Sequence, residues 1–269
     1  MVTLGNVALV TAAGLVTALA TGLGALPFFF VDDFSDRWNV ALWGVASGIM
    51  LAASGFGLVV EGLAAGGPLS VGAGVLVGVA LVAVSHDVIV DADVDPREYE
   101  AGDFRKLVLI LGVLTVHSFP EGVAVGVSFA EIGLEGGVAV PGVAAAVPLL
   151  AVFMTVAISV HNVPEGLAVS IPLRAMDVPK SRMVWWAVFS SLPQPVGAAL
   201  AFVFVRVARR FLPVGFGFAA GAMTYLVLTE FIPEALDAGD DLPGGGRREL
   251  AAGLLVGVLA MLPLLFVGP

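Results

Sequence analysis

Long apolar stretches separated by short polar loops run along the whole of this 269-residue chain. A helix needs about 20 apolar residues to cross the hydrocarbon core of a bilayer. With this length as the measure, the sequence predicts eight membrane spans, at residues 4–30, 40–60, 69–90, 105–130, 141–173, 183–206, 211–236 and 248–268. The stretches are too long for barrel strands and do not alternate with period two. The pattern predicts an all-α polytopic membrane protein, with residues 1–269 forming one eight-span domain.

Two features of the predicted spans bear on how they pack and where they begin. Gly44 and Gly48, and likewise Gly217 and Gly221, have the small-xxx-small spacing that lets membrane helices approach closely. The fifth stretch contains Pro148, which favours a helix start near that residue. The first 30 residues carry no charge and lack the basic region of a signal peptide, so we expect them to form a retained first span.

Composition narrows the class of protein further. The chain is 59% hydrophobic and 13% charged, about half the charged share of a soluble domain, and its mean hydropathy is +1.03. Such a chain cannot cover a water-facing surface with polar groups. The net charge of −10 leaves no basic patch for nucleic acid, and the absence of cysteine excludes disulfides and thiolate metal sites.

The distribution of Lys and Arg predicts the orientation. With eight spans both termini lie on one side, where the loops hold only Arg206, Arg209 and Arg210, whereas the opposite loops hold nine basic residues. The positive-inside rule then predicts that both termini are extracellular. Residues 87–104, between spans three and four, become an acidic cytoplasmic loop. This loop is either simply solvated or a mouth that collects cations; it fails the EF-hand pattern, which requires Gly where Pro96 stands.

A repeated motif carries the candidate chemistry. The pattern H-x-x-P-E-G-x-A-V begins at His117 and again at His161, 44 residues later, on consecutive spans that cross the bilayer in opposite directions. Such a pair predicts an inverted-repeat bundle. His and Glu at positions i and i+4 share one helix face, so His117 and Glu121 on one helix, and His161 and Glu165 on the next, can form a set of nitrogen and oxygen ligands.

The free-energy cost of burial favours a cation at this motif. A charge at the bilayer centre costs roughly 2.5–3.5 kcal/mol on insertion scales, and no Lys or Arg occurs from residue 107 to 173. The compensating charge is therefore a bound cation, or protons on the carboxylates. Pro120 and Pro164 free the carbonyls of Val116 and Val160, as expected for helices that line a cavity. The alternative for each motif alone is a kinked helix with a buried polar cluster.

The ligand types indicate which ions fit. Imidazole with carboxylate and no thiolate suits zinc, and also iron(II), manganese, cobalt or cadmium. Magnesium and calcium prefer all-oxygen shells. We expect no cofactor. The ion that this ligand set holds is Zn2+ or a similar divalent metal.

At these residues the chain resembles the ZIP family (Zrt-, Irt-like proteins) of divalent metal transporters, of the prokaryotic type. The two H-x-x-P-E-G motifs on spans four and five carry the resemblance, together with segments around Met50, Gln194 and residues 220–234. The resemblance implies a metal site of His117, Glu121, His161 and Glu165, with Met50 nearby. It also implies a homodimer and a sliding movement of spans one, four, five and six.

The resemblance further implies a second metal position beside the first, built from Ser118, Asn162 and Gln194 and sharing the two glutamates. Binuclear members usually have Asn where this chain has Ser118, and acids at one or both of the other positions. The neutral trio here favours a single-metal site, or a second position occupied by water or a proton.

Other polar residues near span ends are candidates for the pathway. His86 and Asp87 end the third span, and Glu230 and Glu234 lie four residues apart near the end of the seventh. We expect them to line a cytoplasmic exit, or alternatively to be solvated helix ends. Glu61 ends the second span and is a candidate for the external entrance.

These observations predict a cell-membrane transporter, not an enzyme, that moves divalent transition metals into the cytoplasm by alternating access and is driven by a gradient. One alternative is a metal-binding membrane sensor or structural protein without flux. Another is an intramembrane metalloprotease, which would need H-E-x-x-H, whereas Ser118 and Asn162 follow the histidines here. The expected partners are the metal ion, the lipid bilayer and a second copy of the chain, and not nucleic acid.

Overall fold

The computed structural model describes residues 3–31, 35–90, 117–133, 137–143, 145–175 and 177–263. Within these ranges the chain is helical apart from short connections, and the bridge between Val138 and Val147 is an isolated antiparallel pair. We number the helices by predicted span: α1 Leu4–Phe29, α2 Asp36–Gly66, α3 Pro68–Val90, α4 117–128, α5 Leu149–Ala175, α6 Lys180–Val207, α7 Arg209–Ala238 and α8 Arg247–Ala260.

Six of these helices are long and apolar enough to cross a membrane within the described residues: α1, α2, α3, α5, α6 and α7. The other two predicted spans are helical wherever they are described, at 117–128 and Arg247–Ala260. Residues 91–116, which contain most of the predicted acidic loop and the start of span four, lie outside the described residues.

The start of the fifth span differs from the 141–173 predicted from apolar length. Residues 141–143 form a turn in which Gly142 has φ +82°, and helix α5 begins at Leu149, directly after Pro148. Because proline fixes φ and has no N–H to donate, it is favoured where a helix starts. The apolar residues before Pro148 therefore continue the hydrophobic pattern without being part of the helix.

Helices α2 and α7 each contain a π-helical segment that follows directly after a longer α-helical segment. In α2 the α-helix Asp36–Ala52 passes into a π-helix at Ala53–Val59 before the α-helix resumes at Val60. In α7 the α-helix Leu212–Leu226 passes into a π-helix at Val227–Phe231. π-helical turns occur often at functional sites, and the same order of segments in both halves of the chain agrees with an inverted repeat.

Glycine seams hold α2 against α8 and α3 against α7. A Cβ at Gly48 would collide with the carbonyl oxygen of Leu254 in α8, and a Cβ at Gly257 with that of Val45 in α2. In the same way, a Cβ at Gly78 would collide with the carbonyl oxygen of Phe218 in α7, and one at Gly221 would lie 2.7 Å from the Cα atom of Val75 in α3. The predicted small-xxx-small contacts at Gly44/Gly48 and Gly217/Gly221 are thus confirmed.

The glycine of each repeated motif forms a seam of its own. Gly122 follows Glu121, and its Cα faces the backbone of Gln194 at the start of the second half of α6. Gly166 follows Glu165 and faces the carbonyl of Thr21 in α1. The backbones of α4 and α6, and of α5 and α1, are therefore in direct contact beside the two glutamates. The close seams place α1, α4, α5 and α6 in one set of pairs and α2, α3, α7 and α8 in another.

The seam at Gly78 can be tested by substitution. Gly78→Ala should lower thermal stability by about 1–3 kcal/mol, because an added Cβ meets backbone rather than a flexible side chain. Gly72→Ala on the same helix is the matched control, since a Cβ there meets nothing within 4 Å. The check is the unfolding midpoint of both purified variants in detergent, and equal midpoints would contradict the seam.

Candidate metal site

Three ionisable side chains from the two repeated motifs meet in the interior. Glu121 comes from α4, and His161 and Glu165 come from α5; one ligand atom of each lies within 4.8 Å of the others. His161 Nε2 is 3.2 Å from Glu121 Oε1 and 3.7 Å from Glu165 Oε1. All three residues are buried, at 0–2% exposure. In the described part of the chain, this is the group of ligand-type residues that converges on one point.

The spacing of these atoms suits a tetrahedral divalent ion. Zinc binds imidazole nitrogen and carboxylate oxygen at about 2.0–2.2 Å, so two ligands of a tetrahedral ion are about 3.4 Å apart. The observed separations of 3.2 and 3.7 Å lie on either side of that value. The two separations to His161 are thus within a few tenths of an ångström of the tetrahedral value, and the third, between the two carboxylates, is at most 4.8 Å.

The second ring nitrogen of His161 bears on how firmly an ion would be held. A resident metal site usually anchors the other nitrogen of a ligating histidine to a carboxylate or carbonyl. His161 Nδ1 is buried and has no hydrogen-bond partner among the described residues, and the same holds for Glu165 Oε1. Within the described residues the outer nitrogen of His161 has no such anchor, whereas Glu121 accepts a hydrogen bond from Gln194.

A neutral amide network occupies the side of Glu121 away from His161. The side-chain amide of Gln194 donates to Glu121 Oε2 over 2.6 Å. Asn162 Nδ2 donates to Gln194 Oε1 over 3.0 Å and to the carbonyl of Thr17 over 2.7 Å. Ser118 lies three residues before Glu121 on α4. Like Asn162 and Gln194, it has at most 1% of its surface exposed. The Gln194 amide thus occupies the oxygen of Glu121 that a second cation would bind.

An aromatic wall closes the site from α7 and α2. The ring of Phe231 stacks on the imidazole of His161, with centroids 5.3 Å apart and planes 18° apart. The same phenyl ring lies 6.4 Å from the imidazole of His117 and 4.9 Å from the ring of Trp43. Phe231 ends the π-helical segment of α7 and is 1% exposed. Both motif histidines therefore lie against one side chain from another helix pair.

The remaining candidate ligands lie nearby. His117 is buried, but it is outside the group of three whose ligand atoms converge. Met50 is 1% exposed and belongs to the same apolar cluster as Trp43 and Phe231. Ligation by His117 and Met50 stays a prediction.

The predicted pathway residues occupy helix ends. Asp87 is exposed near the end of α3, and the side chain of His86 lies outside the described residues. Glu230 is half-buried in the π-helical segment of α7, whereas Glu234 is exposed one turn later. Glu61 is half-buried near the end of α2. Asp87, Glu230, Glu234 and Glu61 are outside the Glu121–His161–Glu165 group.

Comparison with known proteins identifies the chain's relatives. A family model described as the ZIP zinc transporter matches residues 91–264, which include both motif copies and all three converging side chains. The chain belongs to the ZIP zinc transporter family. ZIP membership agrees with the six membrane-length helices and makes the chain a multi-pass membrane protein.

Individual ZIP relatives match over most of the chain. The zinc transporter GufA of Myxococcus xanthus is 35% identical over 265 residues, which cover 93% of this chain and 96% of GufA. The zinc transporter ZIPB of Bordetella bronchiseptica is 34% identical over 80% of this chain and 69% of ZIPB. A putative zinc transporter of Arabidopsis thaliana is 40% identical, but the match spans only 35% of that protein's length.

Sequence reasoning missed three residues around the site: Phe231, which stacks on His161, Trp43, which packs against Phe231, and Thr17, which accepts a hydrogen bond from Asn162. Phe231 and Trp43 look like ordinary span residues, and Thr17 acts through its backbone carbonyl. The one available signal for Phe231 is its place between Glu230 and Glu234, two residues that the sequence does single out.

The stack on His161 can be tested through metal affinity. Phe231→Ala should weaken zinc binding about 2- to 10-fold, because aromatic pairs contribute roughly 0.5–1.5 kcal/mol beyond burial and here orient a ligand ring. Titration calorimetry of the purified protein measures the affinity. Phe231→Tyr should keep it, and Phe189→Ala, at an exposed aromatic position of α6, is the matched control. Unchanged affinity in a folded Phe231→Ala protein would refute this role.

Proposed function

We propose that this chain carries divalent transition-metal ions, zinc foremost, across the cell membrane into the cytoplasm. The observation that carries the proposal is the buried Glu121–His161–Glu165 group, assembled from two antiparallel copies of one motif. Two carboxylates at this depth need a cation, and the chain supplies no Lys or Arg from residue 107 to 173. The names of the bacterial relatives, zinc transporters, support zinc as the ion.

The transporter has eight spans in this proposal, with both termini extracellular and residues 87–104 in the cytoplasm. Support comes from the six membrane-length helices and from the helical residues described in spans four and eight. The excess of Lys and Arg in the loops opposite the termini supports the orientation. This orientation puts Glu61 near the external entrance, and His86, Asp87, Glu230 and Glu234 near the cytoplasmic exit.

Alternating access by a sliding of α1, α4, α5 and α6 past the other helices is the proposed mechanism. The glycine seams favour it, because they join α4 to α6 and α5 to α1 backbone to backbone, and separately α2 to α8 and α3 to α7. The ligand residues belong to the first set, whereas Phe231 and Trp43 belong to the second. A sliding of one set past the other would carry the ion away from the aromatic wall.

We also propose that the protein is a homodimer that packs through α3. This helix is the least buried of the six membrane-length helices. Of its residues Pro68–Ser85, 22% are buried within the single chain. Leu76 and Val84 on α3 are more than half exposed, and a second copy or lipid covers such a face.

Metal flux through the motif is the decisive test. Purified protein in proteoliposomes should take up zinc saturably, and Glu121→Gln or Glu165→Gln should reduce uptake at least tenfold by removing one charged ligand. Glu249→Gln, a carboxylate outside the site that lies 3.8 Å from Arg37, is the matched control. A competing panel of iron, manganese, cobalt and cadmium ranks the ions.

The same measurement separates transport from binding alone. Wild-type protein that binds zinc in a Glu121-dependent way but produces no flux would overturn the transporter proposal. That outcome would leave the chain as a metal-binding sensor or structural membrane protein.

The amide network leads us to propose one bound ion per chain. Gln194 donates its amide to Glu121 where a second cation would otherwise bind. Gln194→Glu should raise the zinc stoichiometry from one to two, because a carboxylate replaces the amide and needs a positive partner. Metal analysis after equilibrium dialysis measures the ratio, and Gln194→Ala, which adds no charge, should keep it at one. Two ions bound by the wild type would contradict the proposal.

A further inference from the structure

An apolar groove opens on the membrane-facing side of the bundle, away from the metal site. Its volume is about 430 Å3, and its walls come from α4, α6 and α7. Every lining residue is apolar, among them Val123, Leu200, Phe204, Phe211 and Val214. The volume lies in the range of pockets that bind small molecules. A water-filled groove of this composition at membrane depth would be unfavourable, so an apolar occupant is required.

The seams described above explain why the groove exists. Gly122, Gly126 and Gly197 draw α4 and α6 together backbone to backbone, and the groove lies where α7 meets this pair. Gly215 of α7 faces the gap, with Val127 3.0 Å from the place where its Cβ would lie. Leu200 and Phe204 stand at the groove with 59% and 55% of their surface exposed.

Positive charge lies at one end of the groove. Arg209 and Arg210 form the short 3-10 turn between α6 and α7, which ends with the groove residue Phe211. The guanidinium of Arg210 lies 4.9 Å from the centre of the Phe211 ring. Both arginines are exposed, and the described part of the chain gives neither of them an ion pair. Arg206, one turn earlier, donates instead to the carbonyl of Ala130.

We propose that this groove binds an anionic phospholipid. One acyl chain lies between α4, α6 and α7, and the headgroup phosphate lies on Arg209 and Arg210. The combination of an apolar channel at membrane depth with paired guanidinium groups at its end matches an acyl chain joined to a phosphate. A second protein copy fits less well, because the surface is a concave groove and its charged end would face the same charges in a symmetric partner.

The bound lipid would lie at the border between the two sets of helices. Walls from α4 and α6 belong to the set that carries the ligands, and the wall from α7 belongs to the set that carries Phe231. The inference concerns lipid binding and holds whether or not the chain transports metal, so its test and the flux test fail independently.

Native mass spectrometry of the delipidated full chain tests the proposal with two probes of identical acyl chains, phosphatidylglycerol and phosphatidylcholine. Wild type should bind one phosphatidylglycerol more tightly than phosphatidylcholine. The double substitution Arg209→Gln with Arg210→Gln should weaken phosphatidylglycerol binding about thirtyfold, at roughly 1 kcal/mol for each arginine. Arg247→Gln with Arg248→Gln, an exposed pair before α8, is the matched control and should keep the preference.

A second variant tests the acyl chain. Leu200→Trp fills the groove and should weaken binding of both lipids at least fivefold, whereas Leu255→Trp, on the exposed face of α8, should not. Val214→Trp from the opposite wall replaces Leu200→Trp if that protein does not fold. Equal binding of the two lipids by wild type, an unchanged preference in the Arg209/Arg210 variant, or full lipid binding with the groove filled would each overturn the proposal.

Discussion

The fold is organised around two carboxylates that lie where a membrane protein has no water to solvate them. Glu121 and Glu165 are buried beside one histidine, and the stretch of chain that contains them carries no basic residue. Burial of charge is tolerated only when partners surround it. Hydrogen bonds from Gln194 and His161 reach Glu121 from two sides, and one ligand atom each of Glu121, His161 and Glu165 lies within 4.8 Å of the others.

Close backbone approach is what brings those partners within reach. The glycine that follows each motif glutamate lets a neighbouring helix touch the main chain, so Gln194 arrives beside Glu121 and the Thr17–Thr21 turn of α1 arrives beside Asn162 and Gly166. Without side chains at these positions, helices approach to distances at which short polar side chains can bond across the interface. The same seams join α4 to α6 and α5 to α1, the helices that move together in the proposed mechanism.

Two features separate this chain from a simple copy of its family pattern. Neutral amides stand where the resemblance implies acids at one or both positions in binuclear members; Asn162 donates to Gln194, and Gln194 donates to Glu121. The phenyl ring of Phe231 spans both motif histidines from a helix of the other set. The first feature bears on how many ions the chain holds, and the second on what surrounds the ion in this conformation.

The sequence by itself determined the helical membrane class, the ends of the six membrane-length helices to within six residues except at the start of α5, and the ligand types, because hydropathy and the i, i+4 spacing are local properties of one helix. The predicted start of the fifth span was wrong, because the apolar stretch before Pro148 is not helical and the helix begins at Leu149. Only the tertiary structure decided that Gln194 bonds Glu121, 73 residues away, and that Phe231 stacks on His161. Those contacts depend on how closely helices distant in sequence approach. That distance is set by a glycine in one helix together with the backbone it faces in another, so neither helix determines it alone.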